Sequence, residues 1–157
     1  MNLKKNILKP LSLIALLSFL SVGCTTSPKS NNQNYANGFE NVEYIKNYDG
    51  DTITVNLKGQ HPLFGKDIGV RVKGVDTPEI KGKTQCEKEK AKAAKEYVSK
   101  RLKSARSINL VNVSRGKYFR IVADVIVDGE NLADGLISKG FAVYYDGGRK
   151  PSSDWCN

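Results

Sequence analysis

Along this chain, apolar and polar positions alternate in short runs, then recur every three or four residues, then alternate again. Val42 to Tyr48, Thr52 to Leu57 and Ile68 to Val72 are rich in Val, Ile, Thr and Tyr with rough alternation, which predicts three strands. Asp49-Gly50, between the first two, reads as a hairpin turn. From Cys86 to Ala105 the sequence is rich in Lys and Glu, with Ala91, Ala94, Val98, Leu102 and Ala105 at three- and four-residue steps. That spacing predicts an amphipathic helix with a narrow face of small residues. Ser107 to Val113 and Phe119 to Val127 predict two more strands, Leu132 to Lys139 a short helix closed by Gly140, and Phe141 to Tyr145 a last extended piece. Three strands, a helix, two strands and a helix is the order of a partly open barrel. The expected class is therefore α+β, mainly β: a five-stranded OB-fold barrel with two or three helices. Other small α+β folds share this pattern and stay open on it alone.

The first residues follow a different rule. Lys4, Lys5 and Lys9 precede an uncharged apolar run from Leu11 to Val22, too short to span a bilayer comfortably, which predicts a signal peptide over residues 1–23. Its end, Leu20-Ser21-Val22-Gly23-Cys24, resembles a bacterial lipoprotein signal, with Cys24 as the lipidated residue and Ser21 where Leu is usual. The expectation is an exported protein anchored by lipid to the cell envelope, periplasmic or on the outer surface, with a secreted form as a further possibility. Plain cleavage and an uncleaved anchor are the alternatives. Residues 24–38 are Ser, Thr, Asn, Gln, Pro and Gly with almost no apolar side chain, a polar tether, and the folded domain is expected over 39–157.

Composition narrows the chemistry. With 157 residues, 39% of them hydrophobic, the chain suits one compact domain and excludes a collagen-like repeat or a multi-span membrane protein. Its 25 Lys and Arg outnumber 16 Asp and Glu, a net charge of +9; loss of residues 1–23 removes three Lys and no acid, leaving +6. Such an excess asks for an anionic partner, nucleic acid or anionic lipid. His61 is the single histidine, so a mechanism needing a His pair or a His-rich zinc cage cannot be built from this chain. Carboxylates, Arg, Lys, Tyr or a hard metal must carry any catalysis. With Cys24 lipidated, Cys86 and Cys156 form an even pair in an oxidising compartment, and a disulfide is expected, two free thiols being the alternative.

Three segments concentrate candidate chemistry. Asp49-Gly50-Asp51-Thr52 puts two carboxylates at a strand end, where a hard cation finds oxygen ligands, although a capped turn explains the same residues. Arg71-Val72-Lys73-Gly74-Val75-Asp76-Thr77-Pro78-Glu79 sets a guanidinium among strand valines and follows it with two carboxylates on a Pro-restricted turn. A structural salt-bridge loop is the plain alternative. Lys117-Tyr118-Phe119-Arg120 leads into an alternating strand, and Tyr144 and Tyr145 could stack on bases or close the core.

Taken together and in order, Asp-Gly-Asp-Thr, Arg-x-x-Gly-Val-Asp-Thr-Pro-Glu, Lys-Tyr-x-Arg and the closing Gly140-Phe141-Ala142 resemble the staphylococcal nuclease (thermonuclease) family over roughly Asn41 to Tyr145. The resemblance implies a calcium-dependent endonuclease that hydrolyses phosphodiester bonds of DNA and RNA with little sequence specificity, acting as a monomer without a protein partner. It implies one Ca2+ held by Asp51, Asp76 and the Thr77 carbonyl, with Asp49 beside it as support. It implies Arg71 and Arg120 on the scissile phosphate, Glu79 beside the attacking water, and Lys117, Tyr118 and Tyr144 or Tyr145 around the nucleotide. Two positions depart from the family pattern: Gly116 stands where Asp is common, and Phe119 where Gly is usual. The cysteine pair is a further addition. Competing readings are a non-catalytic OB module that binds nucleic acid by charge, and an envelope structural lipoprotein.

Overall fold

The computed structural model describes residues 37–148, 155 and 156; the segment 1–23, Cys24 and the tether as far as residue 36 lie outside them. The strands are β1 Gly38–Phe39, β2 Glu43–Asn47, β3 Thr52–Asn56, β4 Ile68–Val72, β5 Val75–Asp76, β6 Ile108–Arg115, β7 Ile121–Val127, β8 Glu130–Asn131 and β9 Val143–Tyr144. The helices are α1 Pro62–Gly65, α2 Gln85–Lys103 and α3 Leu132–Ser138. Alternation produces the strands: Ile53 and Val55 of β3, and Ala123, Val125 and Val127 of β7, face the core between half-buried neighbours.

One sheet runs β1-β6-β7-β4-β3-β2, with β8 on β7. Its pairs are antiparallel except β4 with β7, which run parallel with Val70 beside Ile121 and Val72 beside Ala123. The stretch from 38 to 47 serves both edges. Gly38 and Phe39 pair with β6, Glu43 to Asn47 pair with β3, and between them the Val42 N–H donates to the Ile108 carbonyl at 2.9 Å. This closes the sheet into a barrel and hides its edges. The protein is thus α+β, mainly β, built on an OB-type barrel. The five long strands are those predicted. β9 lies within the extended piece expected over Phe141 to Tyr145. The two-residue strands β1, β5 and β8 and the single turn of α1 escaped the pattern because so short a pairing has no period to read.

Helix α2 begins where Thr84 accepts from the Glu87 N–H at 3.1 Å, and Glu87 in turn accepts from the Lys83 N–H at 2.9 Å. Lys100, Arg101 and Lys103 in its last turn suit the negative end of the helix dipole. Ala91, Ala94, Val98 and Leu102 are its buried residues. The small upper half of that face has a specific use: a methyl at Gly50 would lie 2.9 Å from the Ala94 Cβ and 2.8 Å from the Thr77 Cγ2. Gly50 is therefore a close-approach glycine. Its φ is not left-handed, so Asp49-Gly50 is not the primed hairpin that the dipeptide suggests. That geometry occurs instead at Asp128 (φ 52°) and Gly129 (φ 91°), between β7 and β8.

Cys86 is bonded to Cys156, their Cα atoms 6.1 Å apart across 70 residues of sequence, as expected from the cysteine count. Loop-closure entropy assigns such a link roughly 4 kcal/mol. At the other end of α2, Arg101 reaches Glu130 at 2.9 Å, the Val127 carbonyl at 3.1 Å and Asp128 at 3.4 Å. The Asp128 carboxylate accepts from the Arg106 and Ser107 amides at 2.9 and 3.0 Å. The Ser107 amide foremost, then that of Arg106 and the Arg106 and Arg101 charges, hold the Asp128 carboxyl below its usual range. A depressed carboxyl stabilises the fold above its unfolded pKa and loses that contribution as pH falls through the folded value. Asp128→Asn should therefore be less stable than wild type in urea unfolding at pH 7, the gap closing as pH falls below about 3.9. A gap independent of pH would remove the carboxylate from the account.

Candidate active site

Three adjacent strands place one row of side chains on the same side of the barrel. Thr52 of β3 lies opposite Arg71 of β4, and Arg71 opposite Val122 of β7. These three line a cleft of about 890 Å³ together with Glu79, Lys117 and Arg120. Asp49, Tyr145, Tyr48, Arg115 and Gly116 complete much of its wall.

Arg71 connects this cleft to a buried carboxylate pair, Asp51 at 1% and Asp76 at 4% exposure. The Arg71 guanidinium joins them: Nη1 donates to Asp51, while Nη2 donates to Asp76 at 3.0 Å and to the Val75 carbonyl at 3.2 Å. The second oxygen of Asp51 accepts from the Thr77 N–H at 3.0 Å and the Thr77 hydroxyl at 3.1 Å. Burial, chiefly, and the charges of Asp49 and Asp76 push the Asp51 carboxyl up to about 7, although Arg71 and the Thr77 amide pull it down. One guanidinium does not balance the acidity gathered there.

That imbalance, together with all-oxygen donors, fits a hard divalent cation. The fit rests on two carboxylates: among the described residues no group of three or more His, Cys, Asp or Glu is arranged around a metal position. Asp49 supports the turn, its Oδ1 accepting from the Asp51 amide at 3.1 Å and the Thr52 amide at 2.7 Å. The buried Asn47 was not singled out in the sequence. Its amide donates to the Asp49 carbonyl at 2.7 Å and to the Lys95 carbonyl at 3.0 Å, fastening the acidic turn to α2. An Asn among strand residues at a buried position was the available signal.

Arg120 is placed by its neighbours. It follows a tight turn in which its N–H donates to the Lys117 carbonyl at 3.1 Å and its carbonyl accepts from the Gly116 N–H at 2.8 Å. A side chain on Gly116 would press within 2.9 Å of that carbonyl, which accounts for glycine there. Tyr118 (φ 56°) and Phe119 (φ 59°) both take the left-handed backbone of a primed turn. Phe119 thus adopts the conformation that a glycine would take, at a cost of order 1–3 kcal/mol, and the turn itself is kept. Behind Arg120, Gly69 leaves room for its stem, since a methyl at Gly69 would lie 3.0 Å from the Arg120 Cγ. Gly69 is two residues before Arg71 and so shares its face. Periodicity alone gave no hint of it.

The tyrosines divide. The Arg71 guanidinium carbon lies 6.0 Å from the Tyr145 ring centroid, and Tyr145 lines the cleft. Tyr144 pairs with Val75 and is 78% exposed outside it. Tyr118 stands at the turn tip with the Arg120 guanidinium carbon 5.9 Å from its ring centroid. His61 caps α1, its Nδ1 accepting from the Leu63 N–H at 3.2 Å.

Comparison with curated proteins finds no match. A family model described as staphylococcal nuclease homologue matches residues 69–154, taking in Arg71, Asp76, Thr77, Glu79 and Arg120 and leaving out the turn with Asp49 and Asp51. That span is more than half of the chain, and the chain belongs to the staphylococcal nuclease homologue family.

Proposed function

We propose that this protein is a calcium-dependent endonuclease that hydrolyses phosphodiester bonds of DNA and RNA with little sequence specificity. The family consists in general of calcium-dependent nucleases acting on nucleic acids. The observation that carries the reading is the shared cleft: Arg71, Arg120 and Glu79 line one opening, and Arg71 is bonded to the buried pair Asp51 and Asp76. In this reading the chain is exported as a lipoprotein through Cys24 and works as a monomer.

Asp51, Asp76 and the Thr77 carbonyl would hold the calcium ion, which supplies Lewis-acid stabilisation of charge on the phosphoryl oxygens. Arg71 and Arg120 donate to the non-bridging oxygens. Negative charge on those oxygens changes during attack, and fixed planar donors favour the transition state over the ground state. Glu79 orients a water and takes its proton as the water oxygen bonds to phosphorus; the bond to one ester oxygen breaks, and that oxygen takes a proton from solvent. Lys117 and the Tyr145 ring hold the flanking nucleotide by charge and stacking. Such contacts grip backbone and ring faces and read no base edge, which accounts for low sequence specificity.

Asp51→Asn tests the metal assignment. Calcium should raise the melting temperature of the wild type by mass action and raise that of Asp51→Asn only at concentrations about ten-fold or more higher, with cleavage shifted in parallel. Wild-type calcium titration of both readouts in the variant would remove Asp51 from the ligand set. Gly69→Ala tests the placement of Arg120. Its methyl displaces the Arg120 stem by a few tenths of an ångström, so kcat on DNA should fall about ten-fold with little change in melting temperature. Unchanged kcat would show that the stem position does not matter.

A further inference from the structure

On the far side of Arg120 lies a second concavity. It has a volume of about 740 Å³ and is walled by Phe39, Leu63, Phe64 and Phe119, with Arg115 and Arg120 at its rim. Those two arginines also line the catalytic cleft, so the two concavities share a wall of guanidiniums. The apolar side chains are open to solvent: Phe119 is 97% exposed, Leu63 74% and Phe64 67%. Phe119 is in addition held at a left-handed φ of 59° at the tip of the turn that aims Arg120. A phenylalanine kept in that conformation, with its ring in water, gains nothing from the fold.

We infer that this groove is a second base-binding subsite, which receives an unpaired nucleobase from the strand whose phosphate sits between Arg71 and Arg120. The inference rests on the nuclease reading and deepens it. Three observations select this occupant. The groove adjoins the cleft, with Arg115 and Arg120 lining both, so a strand held in the cleft lies beside it. The floor is aromatic and apolar while the rim is cationic, which matches a flat ring carried on an anionic backbone. The stacking surfaces stand on Phe119 and Phe64 rather than on hydrogen-bonding groups, so any base is accepted and only its pairing is selected against: a paired base has its faces already stacked. Single-stranded segments are the substrate such a subsite serves.

The test separates base from backbone. Full-length protein carrying Glu79→Gln, to slow cleavage, is titrated in calcium with a fluorescent oligothymidylate and with a strand of equal length and charge made of abasic sugar phosphates. The Glu79→Gln protein should bind the base-bearing strand about ten-fold or more tightly than the abasic one. Adding Phe64→Ala or Phe119→Gly should shrink that ratio at least three-fold by weakening binding to the base-bearing strand. Phe119→Gly also relieves the left-handed strain, so its melting temperature should hold or rise and unfolding is excluded as the cause. A ratio unaltered by either variant overturns the subsite and leaves the nuclease reading intact. Anionic phosphatidylglycerol vesicles that bind the Glu79→Gln protein and release both variants, with that ratio unaltered, would show a lipid-docking face instead and overturn it equally. Failure to bind either strand would overturn the nuclease reading itself.

Discussion

Arg120→Lys should lower kcat on DNA by about 10²- to 10³-fold with a much smaller change in KM, as removal of one preorganised donor to a developing oxyanion does elsewhere. Lysine keeps the positive charge and most of the stem that lies over Gly69, so the field that draws a polyanion into the cleft survives. What it loses is the planar fork. Arg120 is delivered to the cleft by the turn through Gly116 and Phe119 and by the space at Gly69, an arrangement specific to a guanidinium's direction rather than to charge alone. Arg120→Ala should lose affinity as well as turnover. Steady-state kinetics on a defined oligonucleotide separates the two, and wild-type kcat in Arg120→Lys would remove Arg120 from the reacting phosphate.

Glu79→Gln should lower kcat by about 10²- to 10⁴-fold, the range expected when a group that accepts the water's proton is replaced by one that cannot. Glu79 is exposed at the cleft wall, directly after the buried Thr77 and Pro78 that fix its backbone, and a melting temperature measured beside kcat separates folding from chemistry. The pH profile distinguishes proton acceptance from positioning. If Glu79 takes the proton, the deficit of the Gln variant should narrow at alkaline pH, where hydroxide is available without it. A deficit constant across pH would leave Glu79 only a positioning role.

Much of this site was legible because its residues lie on strand ends and turns with their own signatures. Asp51 immediately precedes β3, Arg71 stands in β4, Asp76 ends β5, and each was singled out from the residue types that surround it. The five long strands followed from alternation. Close approach was not legible. Nothing in a hydropathy pattern says that Gly50 lets the acidic turn meet Thr77 and Ala94, or that Gly69 gives Arg120 its channel, because both depend on strands far apart in sequence. The parallel pairing of β4 with β7, which brings Arg71 and Arg120 to one face, is likewise a property of topology. Asp49-Gly50 does join β2 to β3 as a hairpin, and what the dipeptide did not reveal is that the contact with α2 requires the glycine for its size rather than for a left-handed φ. Tyr144 and Tyr145 differ by one residue and therefore by one face of a strand, a distinction that only the register with Val75 decides.

In the proposed function, two arginines and a glutamate beside a buried carboxylate pair form a metal-dependent phosphodiesterase centre. Its most direct test is the initial rate at which the full-length protein cleaves single-stranded DNA, measured in calcium and in excess chelator. The account predicts steady cleavage in calcium, loss of at least 10²-fold in chelator, and recovery when calcium is restored. Binding to DNA without cleavage under calcium or any other divalent cation would contradict it and leave a non-catalytic nucleic-acid-binding barrel.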